Sequence, residues 1–317
     1  MSAVVFFVSV FMAYFVGVKR HEYLISLCRE SHLFINTEVL CGEKDVIRKT
    51  GYEKTKQDII NYIEERKSNG EVSVASVYFR DLVHGPVLGI DEQLEYAPAS
   101  QLKLPLAVVF MRLAEEQDSY LNKKIIYKGV TSVSEQRIIP KISAVEGVEY
   151  SLEELIRNML IYSDNASYEA LESFLLKDPI RKSFRQTVFQ EVGLIDPENR
   201  VEDTLTVRGY GSILRLLYNT SYLETASSEK ILSWLAESDY KDGIKSSVPT
   251  GVIVANKFGE RIFSDKTKQL SDCGIVYYPK NPYLICIMTR GNEWNNLTST
   301  ISDISKIIYT EVDSRRI

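Results

Sequence analysis

Pro98-Ala99-Ser100-Gln101-Leu102-Lys103-Leu104-Pro105-Leu106-Ala107-Val108-Val109-Phe110 is the stretch on which the architecture turns. Leu102, Leu104, Leu106, Val109, Phe110 and then Leu113 are too densely spaced for a helix with one wet face. The pattern predicts a helix of about 15 residues buried on most sides. Such a helix needs partners all round, and the flanking sequence supplies them. Upstream, Ile59, Ile60 and Ile63 recur at helical spacing between Thr55 and Lys67, and Gly70 closes that helix. Residues 72–80 alternate as a strand, with Val72, Val74, Ser76 and Tyr78 on one face and Ala75, Val77 and Phe79 on the other. His84-Gly85-Pro86 turns the chain into a second strand, Val87 to Ile90.

Downstream, residues 119–228 read as mainly helical. Leu152, Leu155, Ile156, Met159 and Leu160 fit the helical template, as does the segment from Leu205 to Tyr218. The last part returns to strands at 252–258, 274–278 and 283–288, and closes on a helix through Ile301, Ile304, Ile307 and Ile308. Neither strand group alone makes a stable sheet, so the two must join. The expectation is an α/β (α+β) fold: an antiparallel five-stranded sheet flanked by helices, with an inserted all-helical lobe at about 118–228. A cleft between the lobes is the natural place for a site. The domain division expected is an apolar segment at 1–18, a polar linker at 19–52 and a folded unit at 53–317.

Ser2 to Val18 carries no charge and is followed at once by Lys19 and Arg20. That length is the lower edge of a membrane-spanning helix. No basic residue precedes it and Tyr14-Phe15-Val16-Gly17 is a poor cleavage site, so an uncleaved anchor is favoured over a cleaved signal. The basic pair after the segment would by itself keep the rest of the chain in the cytoplasm, whereas the chemistry argued below belongs outside the membrane. The net charge of −5 argues against a nucleic-acid partner. Four cysteines are too few for a disulfide scaffold. Cys273 and Cys286 sit on two runs joined by Pro279-Lys280-Asn281-Pro282, apparently diagonal across a hairpin, with two buried thiols favoured over a bridge. Cys28 and Cys41 are a second pair on which the sequence is silent.

The chain has three histidines, His21, His32 and His84, and no His or Cys pair at metal-ligand spacing. Glycine-rich phosphate loops are missing too. No cofactor or metal is therefore expected, and a hydrolase would need a base other than histidine. Ser100 and Lys103 supply one. Residues three apart share a helical face, burial disfavours an ammonium, and unpaired N–H groups at a helix start can stabilise an oxyanion. The same spacing recurs at Ser227–Lys230 and Ser238–Lys241, but only Ser100 opens the most apolar helix. Ser163-Asp164-Asn165 follows an amphipathic helix, where these residue types also suit a cap. Lys257-Phe258-Gly259 ends an apolar strand, where a lysine can guard an edge and a glycine lets another backbone approach.

Ser-x-x-Lys, Ser-Asp-Asn and Lys-x-Gly, in that order and on those elements, resemble the signature set of class A β-lactamases and penicillin-binding proteins. The resemblance extends over roughly residues 55–312, and includes Pro98-Ala99 before the serine and the final hairpin after Asp272-Cys273-Gly274. It implies that Ser100 is an acylated nucleophile, Lys103 its base, and Ser163 a proton relay to the leaving group. Asn165 would bind substrate, Lys257 would hold its carboxylate, and the N–H groups of Ser100 and Glu260 would form the oxyanion hole beside Gly259. Two departures stand out. Phe258 replaces a hydroxyl residue, and the stretch 194–208 has no Glu-x-x-Leu-Asn motif to activate a deacylating water. Glu198 and Glu202 are the nearby glutamates. The activity implied is opening of β-lactams by a membrane-anchored monomer facing outward. A D-alanyl-D-alanine peptidase and a penicillin-binding sensor are the alternatives.

Overall fold

The structure, a computed structural model, describes residues 19, 23, 32–37, 51–129, 137–194 and 204–315. Helix α1 (Glu53–Ser68) leads into strands β1 (Val74–Asp81) and β2 (Val87–Ile90). A 3-10 turn over Ala99–Leu102 opens helix α2 (Lys103–Glu116). A small ladder, β3 (Lys124–Ile126) with β4 (Glu149–Ser151), precedes α3 (Leu152–Ile161), α4 (Asn165–Leu176) and α5 (Pro179–Glu191). Helices α6 (Val207–Tyr218) and α7 (Thr225–Ala236) complete this lobe. The chain returns through β5 (Val254–Ile262), β6 (Lys268–Val276) and β7 (Tyr283–Gly291) to α8 (Trp294–Ser314).

The five strands form one antiparallel sheet, as the sequence predicts, and their order is β2-β1-β7-β6-β5. Its two faces follow the alternation read in β1. Ala75, Val77 and Phe79 pack with Ile59 and Ile63 of α1 and Ile301 and Ile304 of α8. Tyr78 faces the other way, into the core shared with α2 and the helical lobe. Helix α6 lies so close to this face that a Cβ on Gly211 would stand 2.7 Å from the Tyr78 ring, which only glycine permits. The all-round burial expected of α2 is seen along Lys103 to Met111.

Two expectations fail. The sheet strand β6 starts at Lys268, six positions before the apolar run suggests, because Gln269, Ser271 and Asp272 are buried polar residues with partners inside the protein. Cys273 and Cys286 are directly opposite, not diagonal, and are joined by a disulfide. Val276 pairs with Tyr283, so the turn spans residues 277–282 rather than 279–282 alone, and that two-residue difference sets Cys273 opposite Cys286. Residues 32–37 dock on the folded unit: the N–H groups of Leu33 and Phe34 donate to Glu229, and Ile35 is buried. Cys28 and Cys41 lie outside the described residues, as does the apolar segment 1–18. Among the described residues no helix is long and apolar enough to cross a membrane.

Candidate active site

The turn that carries Ser100 is clamped to the sheet by glutamines. Gln269 of β6 accepts from Ala97 N at 3.1 Å and donates to Ala97 O at 2.7 Å. Gln101, 1% exposed, donates from Nε2 to Lys257 O at 2.9 Å and to Ser271 Oγ at 3.1 Å. Ala99 is held at φ 48°, a left-handed conformation that costs a residue with a Cβ about 1–3 kcal/mol and clusters at functional sites. Gly259 completes the fit. A Cβ there would meet Ser271 Oγ at 2.9 Å and Gln101 Cγ at 3.2 Å, so the backbone that approaches this glycine is the chain's own turn.

Ser100 caps no helix; it sits half-buried within the 3-10 turn, and Lys103 follows as the first residue of α2. Lys103 does not reach for solvent: it is 2% exposed. Its Nζ donates to the carbonyl oxygen of Ser163 at 2.5 Å and to Asn165 Oδ1 at 2.7 Å, and lies 3.0 Å from Ser100 Oγ and 3.2 Å from Ser163 Oγ. Burial lowers its pKa to about 7, against the pull of Asp164, Glu260 and Glu169. A neutral amine has two N–H groups and one lone pair. The two carbonyl-type acceptors take the N–H groups, which leaves the lone pair for a hydroxyl that can donate. Ser100 offers one.

The helical lobe brings Ser163 and Asn165 to the same point. Helix α3 ends at Ile161, Ser163 turns at φ 57°, and Asp164 caps α4 by accepting from Ala166 N and Ser167 N. Asp164 also accepts from Ser143 Oγ at 2.6 Å and Ala144 N at 3.1 Å, pinning the loop before β4. Ser163 Oγ therefore comes within reach of two lysines, because Lys257 of β5 donates to it at 2.9 Å as well as to Phe258 O. Lys257 is 1% exposed, so it is no edge guard. Burial and the neighbouring Lys103 hold its pKa well below that of an ordinary lysine. A hydroxyl that accepts from Lys257 keeps its own O–H to give.

Ser100, Lys103, Asn165 and Glu260 line one cavity of about 650 Å³, together with Glu169 and Arg261. The predicted Ser100, Lys103, Ser163, Asn165, Lys257, Gly259 and Glu260 thus converge, with Ser163 and Lys257 buried against Lys103. Glu260 is engaged by Arg137 Nε at 3.1 Å and Ile138 N at 3.0 Å. Phe258 is packed against Tyr240, ring centroids 4.3 Å apart. Glu198 and Glu202 lie outside the described residues. The sequence reading missed Gln101 and Gln269, whose task is visible only once β6 is placed, and Glu169. Glu169 stands four residues after Asn165 on the same face of α4, a spacing that points to a site only once the cavity is placed.

A sheet lobe that presents a serine and lysine turn to a helical lobe's Ser-Asp-Asn is the framework of the serine penicillin-recognising proteins. The chain belongs to the beta-lactamase enzyme family, a family of hydrolases, whose sequence pattern it matches over residues 54–312. No curated protein matches it in sequence. Among solved structures it is similar to PBP-A, with 17% identity, a TM-score of 0.68, and coverage of 85% of this chain and 100% of that one. A variant of PBP-A, solved as its acyl-enzyme complex with penicillin G, gives 17%, 0.67, 84% and 99%. The TLA-3 extended-spectrum beta-lactamase gives 18%, 0.69, 83% and 99%. At these identities the likeness is one of fold.

Proposed function

We propose that this chain is a serine acyl-enzyme that opens β-lactams through Ser100. The observation that carries the proposal is the environment of the Lys103 amine, buried, near-neutral and 3.0 Å from Ser100 Oγ. Lys103 takes the Ser100 proton as Oγ attacks the lactam carbonyl carbon. Ser100 and Glu260 line the same cavity, and their N–H groups receive the oxyanion. The proton passes through Ser163 to the departing nitrogen, the C–N bond breaks, and an ester on Ser100 remains. Asn165, with Oδ1 fixed by Lys103, turns its amide N–H₂ toward the substrate. Lys257 keeps Ser163 oriented, and an arriving substrate carboxylate would favour its charged form and pair with it. Family membership and the penicillin acyl-enzyme of a fold relative support the substrate class.

Lys103→Ala is expected to slow acylation by penicillin by on the order of 10²-fold or more, the scale of a general base. Stopped-flow acylation rates check it, and a near-wild-type rate would place the base elsewhere. The same preparation, offered a D-alanyl-D-alanine peptide, separates a β-lactamase from a cell-wall peptidase by which substrate turns over. We also propose that residues 2–18 tether the domain on the outer side of the membrane. Fractionation of cells expressing chains with and without them tests this, and identical partitioning would contradict it.

A further inference from the structure

We propose that Glu169 is the general base that activates the water releasing the acyl group from Ser100, an inference that rests on the acyl-enzyme reading above. Hydrolysis of an ester needs a carboxylate, or another base, within reach of a water beside the acyl carbon. Among the described residues, two carboxylates line the cavity that holds Ser100: Glu260 and Glu169. Glu260 is committed to Arg137 and the Ile138 N–H. Glu169 is half-buried and, among the described residues, its carboxylate makes no hydrogen bond or ion pair, so its lone pairs are available to a water.

Its place on α4 is fixed. Asn165 and Glu169 are one helical turn apart on the same face, and Asn165 is held by the Lys103 amine. The helix start is locked by Asp164. Lys103 and Glu169 line the same cavity. Glu169 also borders a second hollow of about 750 Å³ between β3 and α4, which gives water an approach from outside the catalytic cavity. In the step itself, the water oxygen bonds to the acyl carbon while its proton goes to Glu169. The bond from that carbon to Ser100 Oγ then breaks. The proton returns from Glu169 to the departing oxygen, with Lys103 beside it as the last carrier. The sum is one water consumed, one carboxylic acid released and the serine restored.

The test compares full-length wild type, Glu169→Gln and Glu169→Asp with penicillin G, following intact mass for the adduct and absorbance for turnover. The expected result is that Glu169→Gln acylates within about tenfold of the wild-type rate while deacylation slows by on the order of 10²–10⁴-fold, trapping the adduct. Glu169→Asp, a shorter carboxylate, should fall between. Glu169→Gln clearing its adduct as fast as wild type would overturn the proposal, as would trapping by Glu198→Gln or Glu202→Gln in its place. A wild-type adduct that never clears would also overturn it while leaving Ser100 as nucleophile. Absence of any adduct and any turnover in wild type would instead defeat the acyl-enzyme reading itself.

Discussion

A lysine placed at the first position of an apolar helix is costly unless its charge is removed or paired. Here burial lowers the Lys103 pKa to about 7, and the amine still finds two obligate acceptors in Ser163 O and Asn165 Oδ1. The sign of the pH effect follows. Below pH 7 the amine is an ammonium with no lone pair, and above pH 7 it is a base. Acylation rate constants should therefore fall about tenfold per pH unit below pH 7 and level off above it, the limb of a single essential base. Measuring acylation from pH 5 to 9 checks this. A flat profile would mean that Lys103 is not the titrating group. Lys257 is driven the same way by burial and by Lys103, because two ammonium groups around one hydroxyl repel.

At the level of elements, the reactive turn is only as well placed as its clamps. Gln101→Ala removes both bonds to β5 and β6 and leaves Lys257 O and Ser271 Oγ without that donor. A loss of about 1–3 kcal/mol is expected, with slower acylation as the turn loosens. Gly259→Ala crowds Ser271 Oγ and Gln101 from the other side and should cost a similar amount, about 1–3 kcal/mol by overpacking. Thermal melts and acylation rates on both variants check these outcomes; unchanged values would mean that the turn holds without the clamp. The same elements show what a sequence reveals. Strand β1 was legible because its apolar alternation reports two buried faces, and α2 because its apolar density reports burial all round. The first half of β6 was not legible: Gln269, Ser271 and Asp272 look like a wet loop until Ala97, Gln101, Asn256 and Ile244 N are found as their partners. Cys273 and Cys286 look diagonal because Tyr277 and Tyr278, which read as strand, belong to the turn.

Across the whole molecule, the site exists because two lobes meet. The sheet lobe contributes the Ser100 turn and Lys257, and the helical lobe contributes Ser163 and Asn165 at the start of α4. Ser-x-x-Lys, Ser-Asp-Asn and Lys-x-Gly are each common enough to mean little alone, and their order along the chain made the site legible. Glu169 stayed hidden because a lone glutamate on a helix carries no signal until the cavity is known. The helical lobe's side of the site depends on Asp164, which is buried and accepts four hydrogen bonds, two from α4 and two from the loop at 143–144. Asp164→Ala should destabilise the protein by about 3–5 kcal/mol, the cost of breaking a buried charged network, and abolish acylation with it. Denaturant titration checks the first part, and a loss under about 1 kcal/mol would show that the start of α4 and the loop at 143–144 are held by apolar packing instead.

The central claim, an ester on Ser100, is tested most directly by mass spectrometric peptide mapping after brief exposure of the full chain to penicillin G. The account predicts one penicilloyl adduct, on the peptide containing Ser100, and none in Ser100→Ala. An adduct on another residue, or penicillin hydrolysis that survives in Ser100→Ala, would contradict it.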